Sequence, residues 1–282
     1  MAAPQYEIGK PYKVIAHNAH HHTNNRMHSD GLPQKLGFRG ALVLGLATYG
    51  NMTRALVAHF GEAWLGKALI YVKFLSVVCE GDTLRVETFP IEGKKNTFKV
   101  IAYNESNGGI PAAEMETSIP DELPPLEPHA SLQPNEWEGP VTQRRVWDNV
   151  IVGKPYRSLR STLSVEDNAH WKKILGDELP IYYEGDRPAL HPTHVLRQVQ
   201  LASTNQYLGD TAVHGWTRAV IRKMLRIGDQ VNVLAVPVDK WDKKGNHWVT
   251  MYCAVRVGGE TYAEMFHTQI FKVRGSEAHK AA

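Results

Sequence analysis

GKPY at residues 9–12 returns as GKPY at residues 153–156. Four residues are weak ground alone, but two further segments recur in the same order. EGDTLRV (80–86) answers to IGDQVNV (227–233), and GGIPAAEM (108–115) answers to GGETYAEM (258–265). The offsets between first residues are 144, 147 and 150. Such a slow drift arises when small loop insertions separate two copies of one unit. A period this long lies far outside the range of solenoid repeats. The 282 residues therefore read as two halves of ordinary domain size. The expected boundaries are 1–118 for the first half, 119–145 for a connector and 146–282 for the second. The connector carries five prolines before Asn135. Proline lacks the backbone donor that a helix or central strand requires, so extended chain over the surface is expected there. That length lets the second half pack beside the first.

Composition narrows the class. With 43% hydrophobic and 22% charged residues the chain reads as a globular protein, and no apolar run approaches the roughly 20 residues of a membrane span. The first residues, MAAPQYEIGKPY, lack the basic and apolar regions of a secretory signal. Cys79 and Cys253 are too few for a disulfide framework, so a cytoplasmic, reducing setting is expected, with both thiols inert in the core. Net charge is +3 with cations and acids interspersed, which argues against a nucleic-acid partner.

Each half has the same order of elements. ALVLGLATYGNMTRALVAHFG (41–61) places Leu42, Leu46, Tyr49, Leu56 and Phe60 near helical spacing and ends on Gly61, a suitable C-terminal stop. PTHVLRQVQLASTNQYLG (192–209) begins with Pro192, suited to a first helical turn, and ends on Gly209. Four strand-like runs follow each helix: 68–78, 83–91, 97–106 and 111–119, then 218–225, 230–238, 248–257 and 261–273. SNGG (106–109) and DKKGN (242–246) are hairpin signals, and GD at 81–82 and 228–229 reads as a turn entering a strand. In each AEM segment alternation puts Ala and Met on one face and Glu on the other. A long buried helix followed by antiparallel strands, twice, predicts an α+β protein in which each sheet wraps its helix, the two sheets joined edge to edge.

This order resembles the hot-dog fold, and the duplication resembles the double hot dog of MaoC-like (R)-specific enoyl-CoA hydratases and dehydratases. The family's catalytic segment has the form D-x-N-P-x-H, then G-F, then P-I-x-H-G at the start of the central helix. In TNNRMHSD (23–30), Asn25 and His28 fall on the family's Asn and His, while Thr23 stands at the acid position. Gly45 falls on the glycine and Leu44 on the helix-start histidine. In the second copy Asp177 falls on the acid and His191 on the helix-start histidine, but Tyr182 replaces the catalytic histidine and Pro192 the glycine.

The resemblance implies water addition to, or loss from, an acyl thioester. That reaction needs a base, an acid and a donor for the enolate oxygen, the donor alone being worth about 3–4 kcal/mol. Pro192 has no N–H to give, so the expected site is the first copy. His28 is its proton carrier, Asn25 orients His28 or substrate, Gly45 donates to the oxyanion, and Thr23 lies beside the substrate. Asp30 is either a replacement acid or the cap of a turn or helix. Asp177 is a second catalytic candidate or a helix-terminal turn; Tyr182 and His191 are substrate contacts or packing remnants of a silent copy. HNAHHH (17–22) lacks the acid or cysteine companions of a zinc motif, so neither metal nor other cofactor is expected. The implied partner is a small-molecule substrate carried by coenzyme A or a carrier protein, and a homodimer is the assembly to test. The rival readings are an isomerase or cyclase in the same pocket, a non-catalytic acyl-binding protein, and a thioesterase.

Overall fold

The computed structural model describes residues 6–18, 25–29, 31–137, 139–209 and 211–276. In the first half, strand β1 (Tyr12–Ile15) precedes the short α1 (Leu32–Lys35), the long α2 (Gly45–Phe60) and α3 (Glu62–Gly66). Strands β2 (Ala68–Phe74), β3 (Thr83–Pro90), β4 (Thr97–Asn104) and β5 (Ile110–Ser118) follow. The second half repeats the order with β6 (Leu159–Thr162), α4 (Val165–Leu175), α5 (Pro192–Gln206), β7 (Val213–Ile221), β8 (Gln230–Lys243), β9 (Asn246–Val257) and β10 (Glu260–Lys272).

The ten strands form one antiparallel sheet in the order β1-β3-β4-β5-β2-β7-β10-β9-β8-β6. Its seam is β2 against β7, with Ile70 opposite Ala219 and Val72 opposite Thr217. The halves are thus joined edge to edge, as the repeat predicts, and the seam removes one exposed edge from each. Every residue of α2 from Leu46 to Val57 is buried. A helix covered on all sides needs partners on all sides. Here β3, β4 and β5 take one side, and α4 and α5 take the other.

Turn chemistry follows the sequence closely. Gly61 caps α2 at φ 51°, its N–H donating to Val57 O. Lys244 and Gly245 take φ 57° and 78° and close the β8–β9 hairpin. Asp82 follows Gly81 and accepts from the Cys79 N–H, Arg39 and Asn104. In the second copy Asp229 accepts from the Arg226 N–H and Arg187.

Two expected ends move. Helix α5 stops at Gln206, before Gly209, because Tyr207 leaves the helix in extended conformation. Its ring packs edge-on against Tyr156 and its hydroxyl donates to Asn149 O. Strand β7 starts at Val213, five residues ahead of the apolar run, because β10 pairs with this stretch through a bulge at Thr268/Gln269.

The two AEM segments differ in burial. Ala113 and Met115 face the core and Glu114 is half-exposed, whereas Glu264 is buried on the outer face. The connector accounts for this. Arg222 pairs with Glu264 and donates to the carbonyls of Pro124 and Pro125, while Glu264 also accepts from the Glu127 N–H and Tyr252. Cys79 and Cys253 are buried and unbridged. Among the described residues no helix is long and apolar enough to cross a membrane.

Candidate active site

The segment before α2 is built to aim a histidine. Asn25 precedes a 3-10 turn, Arg26–His28, and its Oδ1 accepts from the Met27 N–H at 3.1 Å. The same amide takes the Ala212 N–H at 3.1 Å and donates to Ala212 O at 2.7 Å. Both ends of the Asn25 side chain therefore tie the turn to the strand entry of the other half. The Asn25 side chain thereby holds the turn that carries His28. His28 is 6% exposed, and its Nδ1 lies 2.7 Å from Leu42 O. A carbonyl only accepts, so Nδ1 carries the proton. In the neutral ring Nε2 is then a lone-pair acceptor, the form a base requires.

Leu42 closes the arrangement by donating its N–H to Met27 O at 3.0 Å. Three residues on, α2 begins at Gly45, where first-turn amides have no intrahelical acceptor and the helix dipole favours negative charge. Space at Gly45 is tight: a Cβ there would lie 3.2 Å from both His214 Cβ and Phe74 Cε1.

His28 and Gly45 line two adjoining chambers, with Ala212 and His214 shared by both. One, of about 230 Å³, has a mostly apolar wall into which Arg145, Arg197, Ser203, Thr204 and Gln269 bring polar groups. The other, of about 180 Å³, is largely apolar and includes Val43, Phe74, Val78 and Ala112. His28 and Gly45 thus stand where the two spaces meet.

Sequence reading missed His214 and its companions. His214 Nε2 lies 2.7 Å from Thr217 Oγ1, which lies 2.9 Å from His267 Nδ1. The two rings are 4.1 Å apart. Burial pushes His267 down to about 3, with Arg145 and its positive charge adding to the effect. Burial also holds His214 well below the usual imidazole range, and His267 adds to that. Both rings are therefore neutral, and they stand beside Gly45 with Thr217 between them. Lone histidines in strands carry no motif, so only their convergence on one cleft exposes them. Thr23 and Asp30 lie outside the described residues. Of HNAHHH, His17 and Asn18 are described, and His17 pairs with Glu80 at 3.0 Å.

The second-copy candidates form a separate buried cluster and line none of these chambers. Asp177 and His191 are 0% exposed and Tyr182 is 1% exposed. His191 Nδ1 accepts from the Thr193 N–H, capping α5, and its Nε2 faces Asp177 Oδ2 at 3.3 Å. Both ring nitrogens are thereby engaged. Burial would raise the Asp177 carboxyl, but the His191 bond and the charge of Arg54 outweigh it and hold it below the usual range. The Tyr182 ring packs 4.6 Å from that of His191.

No protein-family model matches the chain, and comparison with curated proteins gives no match. Solved structures do match over nearly the full length. A proposed MaoC-domain dehydratase from Chloroflexus aurantiacus is 13% identical, with 96% of this chain and 97% of that chain covered and a TM-score of 0.65. A Mycobacterium tuberculosis protein with a double hot-dog fold is 12% identical over 95% and 98% of the two chains, TM-score 0.62. A proposed thioesterase from Novosphingobium aromaticivorans is 13% identical over 96% and 100%, TM-score 0.51.

This chain is a double hot dog. Its two copies of the site are unequal because each helix faces the other half. At the second copy, α2 fills the space. A Cβ on Gly50 would lie 2.3 Å from Thr193 Oγ1 and 2.6 Å from Leu175 Cδ1. Arg54 reaches in to donate to Leu175 O and to Asn51 Oδ1, and also to Tyr6. Taking Pro192 as the counterpart of Gly45, an offset of 147 residues, Arg197 and Leu201 are the counterparts of Gly50 and Arg54. Leu201 is short enough to line a chamber where Arg54 plugs one.

Proposed function

We propose that the cleft at the start of α2 adds water to, or removes it from, an acyl thioester. The observation that carries this reading is that His28, with Nδ1–H tied to Leu42 O, lines the same cleft as the helix-start Gly45. In the dehydration direction, His28 Nε2 takes a proton from C2 of a 3-hydroxyacyl thioester. The electrons move onto the thioester oxygen, which the Gly45 end of α2 holds by hydrogen bonding and helix dipole. When the enolate collapses, the C3–O bond breaks and His28 returns the proton to the departing hydroxide, releasing water. Hydration runs the same steps backwards.

The apolar chamber beside Phe74 suits the hydrocarbon part of the acyl group. The carrier is coenzyme A or a carrier protein, and the setting is cytoplasmic. Isomerisation is the second reading, favoured by one observation: among the described residues that line the two chambers there is no aspartate or glutamate.

Hydration of crotonyl-CoA in deuterated water tests both. Wild-type protein should give a 3-hydroxyacyl product with deuterium at C2, and His28→Gln should lower turnover by about 100 to 10,000 fold. Deuterium at C2 without water addition selects isomerisation. Full activity in a folded His28→Gln protein would remove the mechanism.

A further inference from the structure

The larger of the two chambers carries a buried positive charge, that of Arg145, with no carboxylate among the described residues to balance it. Arg145 reaches it from the chain just ahead of the second half, and Arg197 reaches it from α5; no aspartate or glutamate among the described residues lines it. Arg145 packs over the Phe271 ring, 5.6 Å from its centre. Its Nη1 is closed off from solvent and has no hydrogen-bond partner among the described residues. Burial pushes its guanidinium below the ordinary range, with the hydroxyls of Tyr156 and Tyr207 nearby and no carboxylate to offset the effect. A desolvated guanidinium without an acid is unfavourable until an anion completes it. Gln269 Nε2, also buried and unpartnered, supplies a neutral donor in the wall of the same chamber.

The place of this charge indicates what it binds. His28 and Gly45 line the same chamber, so an anion at Arg145 shares that chamber with a carbonyl held at Gly45. The phosphates of coenzyme A or a carrier protein are separated from the thioester by the whole pantetheine arm. That arm is itself neutral and leaves Arg145 unbalanced, whereas Arg197 has the charge of Asp167 nearby.

We propose that this chamber is a carboxylate subsite: the acyl group handled at His28 and Gly45 bears a second carboxylate, gripped by Arg145, with Arg197 adding charge and Gln269 a neutral donor. This rests on reading the cleft as a thioester site. The planar fork of arginine matches a carboxylate through two parallel hydrogen bonds, a geometry that lysine cannot reproduce.

Calorimetric titration with two N-acetylcysteamine thioesters, succinyl and butyryl, tests the proposal without phosphates and without turnover. The succinyl ester should bind at least about tenfold more tightly. Arg145→Met, which keeps a flexible stem over Phe271, should bring the two within about twofold, and Arg145→Lys should fall between. The methionine variant should melt no lower than the wild type, because it removes an unpaired buried charge; an arginine serving only structure would lower the melting temperature when lost. Should that variant unfold, the wild-type preference and the lysine variant decide. Equal or tighter binding of the butyryl ester overturns the carboxylate subsite and leaves the thioester site standing. If neither ester binds, the thioester site fails and this inference fails with it. If Arg145→Met weakens free coenzyme A as much as the succinyl ester, the anion is the carrier's phosphate and the proposal is overturned.

Discussion

Lowering the pH from 7 to 5 should destabilise this protein through histidines that it keeps neutral. His267 is pushed down to about 3 and His214 well below its usual range, both chiefly by burial. In the unfolded chain each returns to about 6.5. Between these limits the unfolded state binds more protons than the folded state, so stability rises with pH. The contribution is fully present above about pH 6.5 and is lost as pH falls toward the folded values. Each such histidine contributes a slope of about 1.4 kcal/mol per pH unit, which integrates to about 2 kcal/mol between pH 7 and 5. His267 accounts for about 2 kcal/mol, His194, lowered to about 4 by burial despite the opposing charge of Asp167, adds a comparable share, and His214 adds in the same direction. Carboxylates held low, such as Asp82 and Asp177, titrate beneath this window. Urea unfolding at half-unit steps from pH 5 to 7 measures the slope. His267→Asn, which keeps an amide near Thr217, should reduce the loss by about 2 kcal/mol. A flat profile, or identical slopes in the two proteins, would refute the claim that these rings are buried and neutral.

Gly50→Ala forces a methyl against Thr193 and Leu175 and should cost about 1–3 kcal/mol in chemical denaturation; a neutral result would mean that α2 and α5 are not in this close contact. Tyr182→Phe removes a buried hydroxyl that has no partner among the described residues, so stability should hold or rise and turnover should stay within a few fold. Loss of turnover by orders of magnitude, with the fold intact, would place the chemistry in the second copy. Asp82→Ala orphans the Cys79 N–H and Asn104 and breaks the pair with Arg39, and should cost about 2–3 kcal/mol by thermal melting. A loss below 0.5 kcal/mol would show, by comparison with an ordinary surface change, that the GD turn does not depend on its carboxylate.

Much of the fold was legible because it rests on local pattern and repetition. Leu46, Tyr49 and Leu56 mark the core helix by spacing, Gly61 stops it and Lys244–Gly245 closes a hairpin through backbone preferences acting within a few residues. The early start of β7 was hidden because Val213-His214-Gly215 has no strand signal, and its pairing partners, Gln269 and Ile270, lie more than fifty residues downstream in β10. His28 and Gly45 could be singled out because a motif spans them. Asn25 could be found but its partner could not, since Ala212 meets it from the other half.

What the sequence by itself determined is that there are two copies of one unit, each with a helix to bury and four strands to cover it. Only the tertiary structure decided which copy stays open. Leu201 lines the first site and Arg54 plugs the second, and each comes from the half opposite the site that it shapes. His214 and Arg145 likewise join His28 from more than a hundred residues away. A chain read in order carries the preferences of neighbours along the backbone; the space left beside His28 depends on side chains that arrive only when the two halves meet at β2 and β7 and turn their helices toward each other.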